Sequence, residues 1–242
     1  MNTTDKSAHN ARKAQITPAT LMRLAGLSAL VAGLCLMVIG MFHPINELAS
    51  VTSAAWVNAH ICAFALGFFG LFGMAGLYAR QVEESGWLGL AGFLLFSIWM
   101  TLVSGFSFVE AFILPPLVSE SPTFVEGFLG LFSGSTNGID FGVLPMTWTL
   151  SNPLYILAPL LFGIATFRAG LLSRWAAALL AVGALLTPVG ALVPPAYQPW
   201  VMAPVGLALA WLGYALFAER REPSTESLLD QRIANMEPSK AA

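Results

Sequence analysis

Residues 60–80 read HICAFALGFFGLFGMAGLYAR, an apolar stretch that a histidine begins and an arginine ends. At 1.5 Å per residue, a helix of this length would be about 30 Å long, which matches the hydrocarbon core of a bilayer. Backbone groups in lipid must find their hydrogen bonds within the same segment, which favours a helix. The stretch therefore predicts a membrane-spanning helix.

The composition of the whole chain agrees with this prediction. Of 242 residues, 57% are hydrophobic and 10% are charged, and the mean hydropathy is +0.73. Soluble domains average about 25% charged residues, so too few charges are present to coat a water-facing globule. The net charge of −2 gives no reason to expect nucleic acid as a partner. We expect an all-α integral membrane protein whose main partner is the lipid bilayer.

Six segments have the length and apolar character of membrane spans. They divide the chain into an N-terminal tail of residues 1–22, a transmembrane domain of residues 23–218 and a polar tail of residues 219–242. The fifth span is the shortest and contains Pro188. A short helix is expected within the tail, over 224–236. The predicted spans are approximately 23–42, 56–79, 87–112, 143–167, 175–193 and 200–218.

The basic residues predict the orientation of these spans. Connections near 43–55, 113–142 and 194–199 contain no lysine or arginine. Because short cytoplasmic loops are enriched in basic residues, both termini are expected in the cytoplasm. The first span, of about 19 apolar residues, exceeds a signal-peptide core and favours a retained helix. All eleven basic residues lie in the tails or the alternate connections: Lys6, Arg12, Lys13, Arg23, Arg80, Arg168, Arg174, Arg220, Arg221, Arg232 and Lys240.

Tryptophans mark the predicted span boundaries. Trp56 and Trp200 would lie at outer ends, and Trp87 and Trp175 at inner ends, as expected for interfacial aromatic belts. Two further tryptophans fall within spans, and we expect them to pack between helices. These are Trp99 and Trp211.

The second span carries small residues on a repeating face. Such residues let helix backbones approach closely in lipid. Two interpretations stay open: a face that makes the protein a homo-oligomer, or packing inside one bundle. The residues are Ala59, Ala63, Gly67, Gly70, Gly73 and Gly76.

Residues 108–116, FVEAFILPP, place one carboxylate, Glu110, near the outer end of the third span. His43 ends the first span on the same side. His60 is one turn into the second span, about 6 Å below Trp56. Three ionisable groups are therefore predicted at one membrane level, and such groups within a span indicate function by default.

Two imidazoles and a carboxylate allow several roles. His43, His60 and Glu110 together resemble a ligand set for zinc, iron or copper, and a haem is a related alternative. The same groups could form a proton or solute path, because histidine and glutamate exchange protons readily. The structural alternative is that they meet headgroup water or join helices by a hydrogen bond.

The outer half of the fourth span adds polar groups at a similar level. Pro153 removes a backbone donor, so a kink is expected near residues 149–152. We therefore predict an outward-facing polar pocket. Its candidate ligand-binding residues are His43, His60, Glu110, Ser151 and Asn152.

The connection 113–142 is the longest on the predicted outer side. Phe124, Phe128, Leu131 and Phe132 approximate one helical face, so a short interfacial helix is expected there, either as a lid or as a spacer. The acids of the outer connections would attract cations weakly. They are Glu47, Glu120, Glu126 and Asp140.

Four short motifs in the first half of the chain carry a resemblance. HP at 43–44, W…H at 56–60, GLYARQ at 76–81 and EAFILP at 110–115 are similar to a group of uncharacterised bacterial multi-pass membrane proteins. The resemblance implies a six-helix bacterial cytoplasmic-membrane protein in which His43, His60 and Glu110 belong together. It implies no activity.

Three hypotheses of function follow. The first is a membrane protein that binds or moves a small ligand or ion in the outer pocket. The second is a metal- or haem-dependent membrane enzyme or redox protein that uses His43, His60 and Glu110. The third is a structural assembly partner docked through glycine-rich faces. Nucleotide-binding loops, a nucleophile elbow and HExxH are absent from the sequence.

Overall fold

The computed structural model describes residues 16–193 and 200–219, and within these ranges every regular element is a helix. This confirms the all-α fold class for the described part of the chain. Residues 1–15, 194–199 and 220–242 are outside it. The predicted helix over 224–236, most of the two tails and one outer connection therefore lie outside the described residues, as do seven of the eleven basic side chains.

Five long helices form the body of the protein. They are α1 (Pro18–Phe42), α3 (Ala54–Arg80), α4 (Val82–Phe108), α7 (Leu144–Ala169) and α9 (Ala203–Ala218). The shorter helices are α2 (Leu48–Val51), α5 (Leu114–Glu120), α6 (Pro122–Gly130) and α8 (Arg174–Leu186). A π-helical turn, Val109–Ile113, joins α4 to α5, and a 3₁₀ segment, Thr187–Leu192, follows α8.

Local signals explain where the helices begin and end. The hydroxyls of Thr17, Ser53 and Ser173 accept hydrogen bonds from backbone N–H groups in the first turns of α1, α3 and α8. Such caps satisfy donors that have no partner within the helix. Helix α7 ends at Gly170, whose φ of 69° is a left-handed conformation that glycine adopts without strain. The expected site of a kink, Pro153, lies inside α7, which continues through it.

Five stretches are long and apolar enough to cross a membrane: Pro18–Phe42, Ala54–Arg80, Val82–Glu120, Leu144–Ala169 and Trp200–Ala218. The predicted fifth span, 175–193, is not among them. Its α-helix stops at Leu186 and continues as the 3₁₀ segment that contains Pro188. Proline has no N–H to donate and clashes with the preceding turn, which ends the regular helix. The described chain therefore contains five candidate membrane-spanning helices, and the sixth span stays a prediction.

The helices form a closed ring in which each main helix packs against its neighbours in sequence. The order is α1, α3, α4, α7, α8 and α9, and α9 returns to pack against α1. Glycines bring the first and last helices into backbone contact: a Cβ atom on Gly33 would lie 2.3 Å from the amide nitrogen of Ala210. Gly73 of α3 lies equally close to Ala29 of α1. Small residues therefore pack within one chain.

Tryptophan burial differs from the prediction at two positions. Trp87 and Trp175 are 86% and 78% exposed, as residues of an interfacial belt need to be, and Trp99 is buried. Trp56, expected in the belt, is fully buried at 0% exposure. Trp211, expected between helices, is 42% exposed. Position along a span does not define which side of the helix faces the bundle.

An apolar cluster closes the end of the bundle where α3 begins and α4 ends. The predicted short helix of the 113–142 connection is present as α6, and its buried face belongs to this cluster. Helix α6 packs against α2 and α5, and its Phe128 contacts Phe106 of α4. The buried members are Val51, Trp56, Phe106, Leu114, Val125, Phe128, Leu129 and Leu131.

Candidate functional site

The π-helical turn explains how Glu110 turns inward. Pro115 and Pro116 have no N–H to donate, so two carbonyls of the preceding turn lack their usual α-helical partners. The chain widens instead, and the N–H of Leu114 bonds to the carbonyl of Val109, five residues earlier. Glu110 is buried at 6% exposure. Single π-helical turns of this kind occur frequently at functional sites.

Three contacts form a circuit between this turn and the first turns of α3. The indole Nε1–H of Trp56 donates to the backbone carbonyl of Glu110 at 2.9 Å. The imidazole Nδ1 of His60 lies 2.8 Å from the carbonyl of Trp56. The other nitrogen, Nε2, lies 3.4 Å from Oε2 of Glu110. Trp56 and His60 are four residues apart, so both face the same neighbour.

The circuit fixes the tautomer of His60. A carbonyl oxygen can only accept, so Nδ1 carries a proton and donates it to Trp56. Nε2 is then the nitrogen that faces Glu110. The separation of 3.4 Å is longer than the 2.7–2.9 Å of a charge-assisted hydrogen bond. His60 and Glu110 are therefore adjacent without forming a tight charge-assisted hydrogen bond.

His43, which follows the last residue of α1, adds a second oriented imidazole. Its Nδ1 lies 2.7 Å from the carbonyl of Pro44 and so donates a proton to it. Its ring meets that of His60 edge to face, with the centroids 5.0 Å apart. Burial, and then the neighbouring His60, lowers the pKa of His43, against smaller opposing effects of Pro44 and Glu110. His43 is therefore neutral at neutral pH.

His43, His60 and Glu110 lie next to one another: His60 contacts Glu110, and the two imidazole rings pack edge to face. Among the residues that the structure describes, no three His, Cys, Asp or Glu side chains form a group that could hold a metal ion. The imidazole of His60 faces Glu110, while that of His43 packs edge-on against His60 instead of pointing at a shared centre. The metal site suggested by the sequence and the haem alternative both stay predictions.

A cavity of about 430 Å³ lies beside the His60–Glu110 pair. The exposed Asn46 and Asn152 belong to its wall and mark its mouth, whereas Leu36 and Leu66 are buried. Leu36 precedes His43 by seven residues, so the cavity extends about 10 Å along α1. All five candidate ligand-binding residues, His43, His60, Glu110, Ser151 and Asn152, line it. The remaining lining residues are Ile39, Ala63, Trp99, Leu102, Val103, Phe106, Ser107, Phe132, Trp148 and Tyr155.

Two contributors to the site escaped the sequence analysis. Trp56 connects α3 to the π-helical turn, and its spacing of four from His60 was the signal that could have identified it. Ser107, buried at 4% exposure, precedes Glu110 by three residues and lines the same cavity. The expected Ser151 is also buried, and its hydroxyl donates to the carbonyl of Trp148 at 2.7 Å. Its oxygen lone pairs can still accept a hydrogen bond.

No protein-family model, curated protein or solved structure matches this chain. The resemblance to bacterial multi-pass membrane proteins stays a prediction, and the site is interpreted from its own chemistry.

Proposed function

We propose that this is a multi-pass protein of the bacterial cytoplasmic membrane that binds a small, largely apolar molecule through its outward-facing cavity. The observation that supports this most directly is the composition of the cavity wall. Apolar and aromatic side chains dominate it, and a few polar groups, His60, Glu110, Ser107 and Ser151, lie among them. Concave sites of this kind, with few convergent polar groups, are typical of small-molecule binding. The ligand would carry one polar group that reaches Glu110.

The proposed topology has six spans with both termini cytoplasmic. The sixth crossing would be α8 together with the 3₁₀ segment after it. Thirteen α-helical residues rise about 20 Å and six 3₁₀ residues about 12 Å, which together reach about 30 Å. This length would suffice for the hydrocarbon core although α8 alone is too short.

The described basic residues support this orientation. Arg80 ends α3, Arg168 and Arg174 flank the turn between α7 and α8, and Arg23 lies in the first turns of α1. His43, His60 and Glu110 lie at the opposite ends of their helices. The positive-inside rule would place the arginines in the cytoplasm and the mouth of the cavity outside.

The assembly-partner hypothesis has less support. Gly67, Gly70, Gly73 and Gly76 are buried, and a Cβ atom on any of them would meet α1 or α4 of the same chain. Packing within one bundle accounts for these small residues. Homo-oligomer formation through glycine-rich faces stays a prediction.

Ligand binding can be tested with 4-phenylbutan-1-ol, a neutral probe with an apolar body and one hydroxyl group. Its binding to purified protein in nanodiscs would be measured by equilibrium dialysis against empty nanodiscs. We expect saturable binding that Ser107→Phe abolishes, because the new ring fills the cavity. Gly105→Phe is the matched control: it lies on the same helix, and the space around it is open. Equal binding by both variants would reject the proposal.

The orientation can be tested with single cysteines in a chain whose Cys35 and Cys62 are replaced by alanine. A cysteine replacing the exposed Ser135 should react with an impermeant thiol reagent in intact cells. A cysteine replacing Leu171, which is 37% exposed in the turn between α7 and α8, should react only after lysis. The reverse pattern would place the cavity on the cytoplasmic side.

A further inference from the structure

The charges around the cavity favour a positively charged occupant. Among the described residues that line the cavity, Glu110 is the only acid, and none is a lysine or arginine. The described connections at this end of the bundle, 43–53 and 114–143, carry acids and no basic residue. A cation would therefore meet negative charge at the mouth and a single buried carboxylate inside. An anion would meet no compensating charge.

Aromatic rings form a large part of the cavity wall. Phe106 and Phe132 both pack against Trp148, with ring centroids 5.4 and 4.6 Å away. Trp99 and Tyr155 pack against each other at 5.1 Å. All five line the cavity. Aromatic faces attract organic cations, and the attraction grows when the site excludes water.

We infer that the ligand is a small organic cation, an amine or quaternary ammonium with an apolar body, which pairs with the carboxylate of Glu110. The inference rests on the proposed function and names its ligand class. The gap of 3.4 Å between His60 and Glu110 leaves the carboxylate without a tight partner. The cation would pair with Glu110, and the aromatic wall would surround its apolar body.

The test compares two probes with one skeleton, 4-phenylbutyltrimethylammonium and 4-phenylbutan-1-ol, by equilibrium dialysis in nanodiscs. We expect the cation to bind at least tenfold more tightly at pH 8. The fixed charge of the quaternary ammonium ensures that the probe itself does not titrate.

Two variants test whether Glu110 or His60 causes the preference for the cation. Glu110→Gln should remove the preference for the cation while it keeps binding of the alcohol, which also reports on folding. His60→Gln should keep the preference, because the carboxylate of Glu110 remains in place. If Glu110→Gln loses both probes, Glu110→Asp decides: it keeps the charge and must keep the preference.

The binding measurements distinguish a failure of the cation inference from a failure of the proposed function. Equal affinity for the two probes, with both lost in Ser107→Phe, would overturn the cation inference and leave the proposed function in place. No saturable binding of either probe would reject both. A cation preference that persists in Glu110→Gln would overturn the assignment to this carboxylate.

Discussion

Each end of helix α3 contributes one basic side chain to a pair with an acid, and the two pairs differ in distance and in burial. His60 and Glu110 are 3.4 Å apart, with side chains 3% and 9% exposed. Arg80 and Glu219 are 2.6 Å apart, with side chains 25% and 26% exposed. His60 and Arg80 are twenty residues apart on one helix, a rise of about 30 Å. The pairs therefore lie a bilayer's hydrocarbon thickness apart.

The two carboxylates differ in the number of contacts that the basic side chain makes with them. Arg80 donates from Nε to both oxygens of Glu219, at 2.9 Å each, and from Nη2 to one of them. This multiple contact ties the end of α3 to the end of α9. His60 has only one nitrogen for Glu110, at a long distance and beside a cavity. The Arg80–Glu219 pair joins two helices, whereas the His60–Glu110 pair lies beside a cavity.

The largest effect is expected from removing the buried carboxylate. Glu110→Ala should lower the free energy of unfolding by about 3 kcal/mol, because it leaves the other partner of a buried pair without compensation. Glu110→Gln should cost only about 1 kcal/mol, since its amide can donate to Nε2 of His60. Unfolding in a graded denaturing detergent measures both. Equal losses would show that Nε2 is not the atom that needs the partner.

A smaller effect is expected from the bond that holds the π-helical turn. Trp56→Phe keeps an aromatic ring but removes the Nε1–H together with part of the buried indole, so the carbonyl of Glu110 loses its partner. A buried acceptor without a donor costs about 1–2 kcal/mol, which should appear as a lower unfolding midpoint. Trp87→Phe is the matched control, since Trp87 is 86% exposed. A loss of the same size in the control would contradict the role of this bond.

Breaking the partly exposed Arg80–Glu219 pair should lower the free energy of unfolding by less. Arg80→Ala is expected to lower stability by at most about 1 kcal/mol, because solvent screens ion pairs of this exposure. The loss should shrink as salt is raised from 0.05 to about 0.5 M, whereas the cost of Glu110→Ala should not change. The comparison of the two pairs would be wrong if salt changed both losses equally.

The smallest effect is expected from His43 and depends on pH. Burial lowers the pKa of His43 in the folded protein, so protonation favours the unfolded chain. The stability that depends on the neutral ring is complete above the unfolded-state pKa of about 6.5 and is lost as pH falls towards the folded value. His43→Gln should remove this part of the acid sensitivity. Unfolding midpoints of both proteins between pH 7.5 and 5 measure the difference.

The sequence by itself determined the helical fold class and brought together three residues that line one cavity. Long apolar segments define helices because lipid offers backbone groups no other partner, so α1, α3, α4 and α7 fall close to their predicted ranges. Helix direction and span depth placed His43, His60 and Glu110 at one level, and all three line one cavity. These properties depend on length and composition, which are local.

Only the tertiary structure decided which way the side chains turn. The π-helical turn places Glu110 at a buried position, and Trp56, which its place at a span boundary predicted for an interfacial belt, is buried and donates to the carbonyl of Glu110. Pro188 lies in a 3₁₀ segment that replaces part of a predicted span. His43, His60 and Glu110 line one cavity, and their role as metal ligands stays a prediction. Rotation about a helix axis depends on packing between distant segments, and an apolar sequence without strong periodicity does not encode it locally.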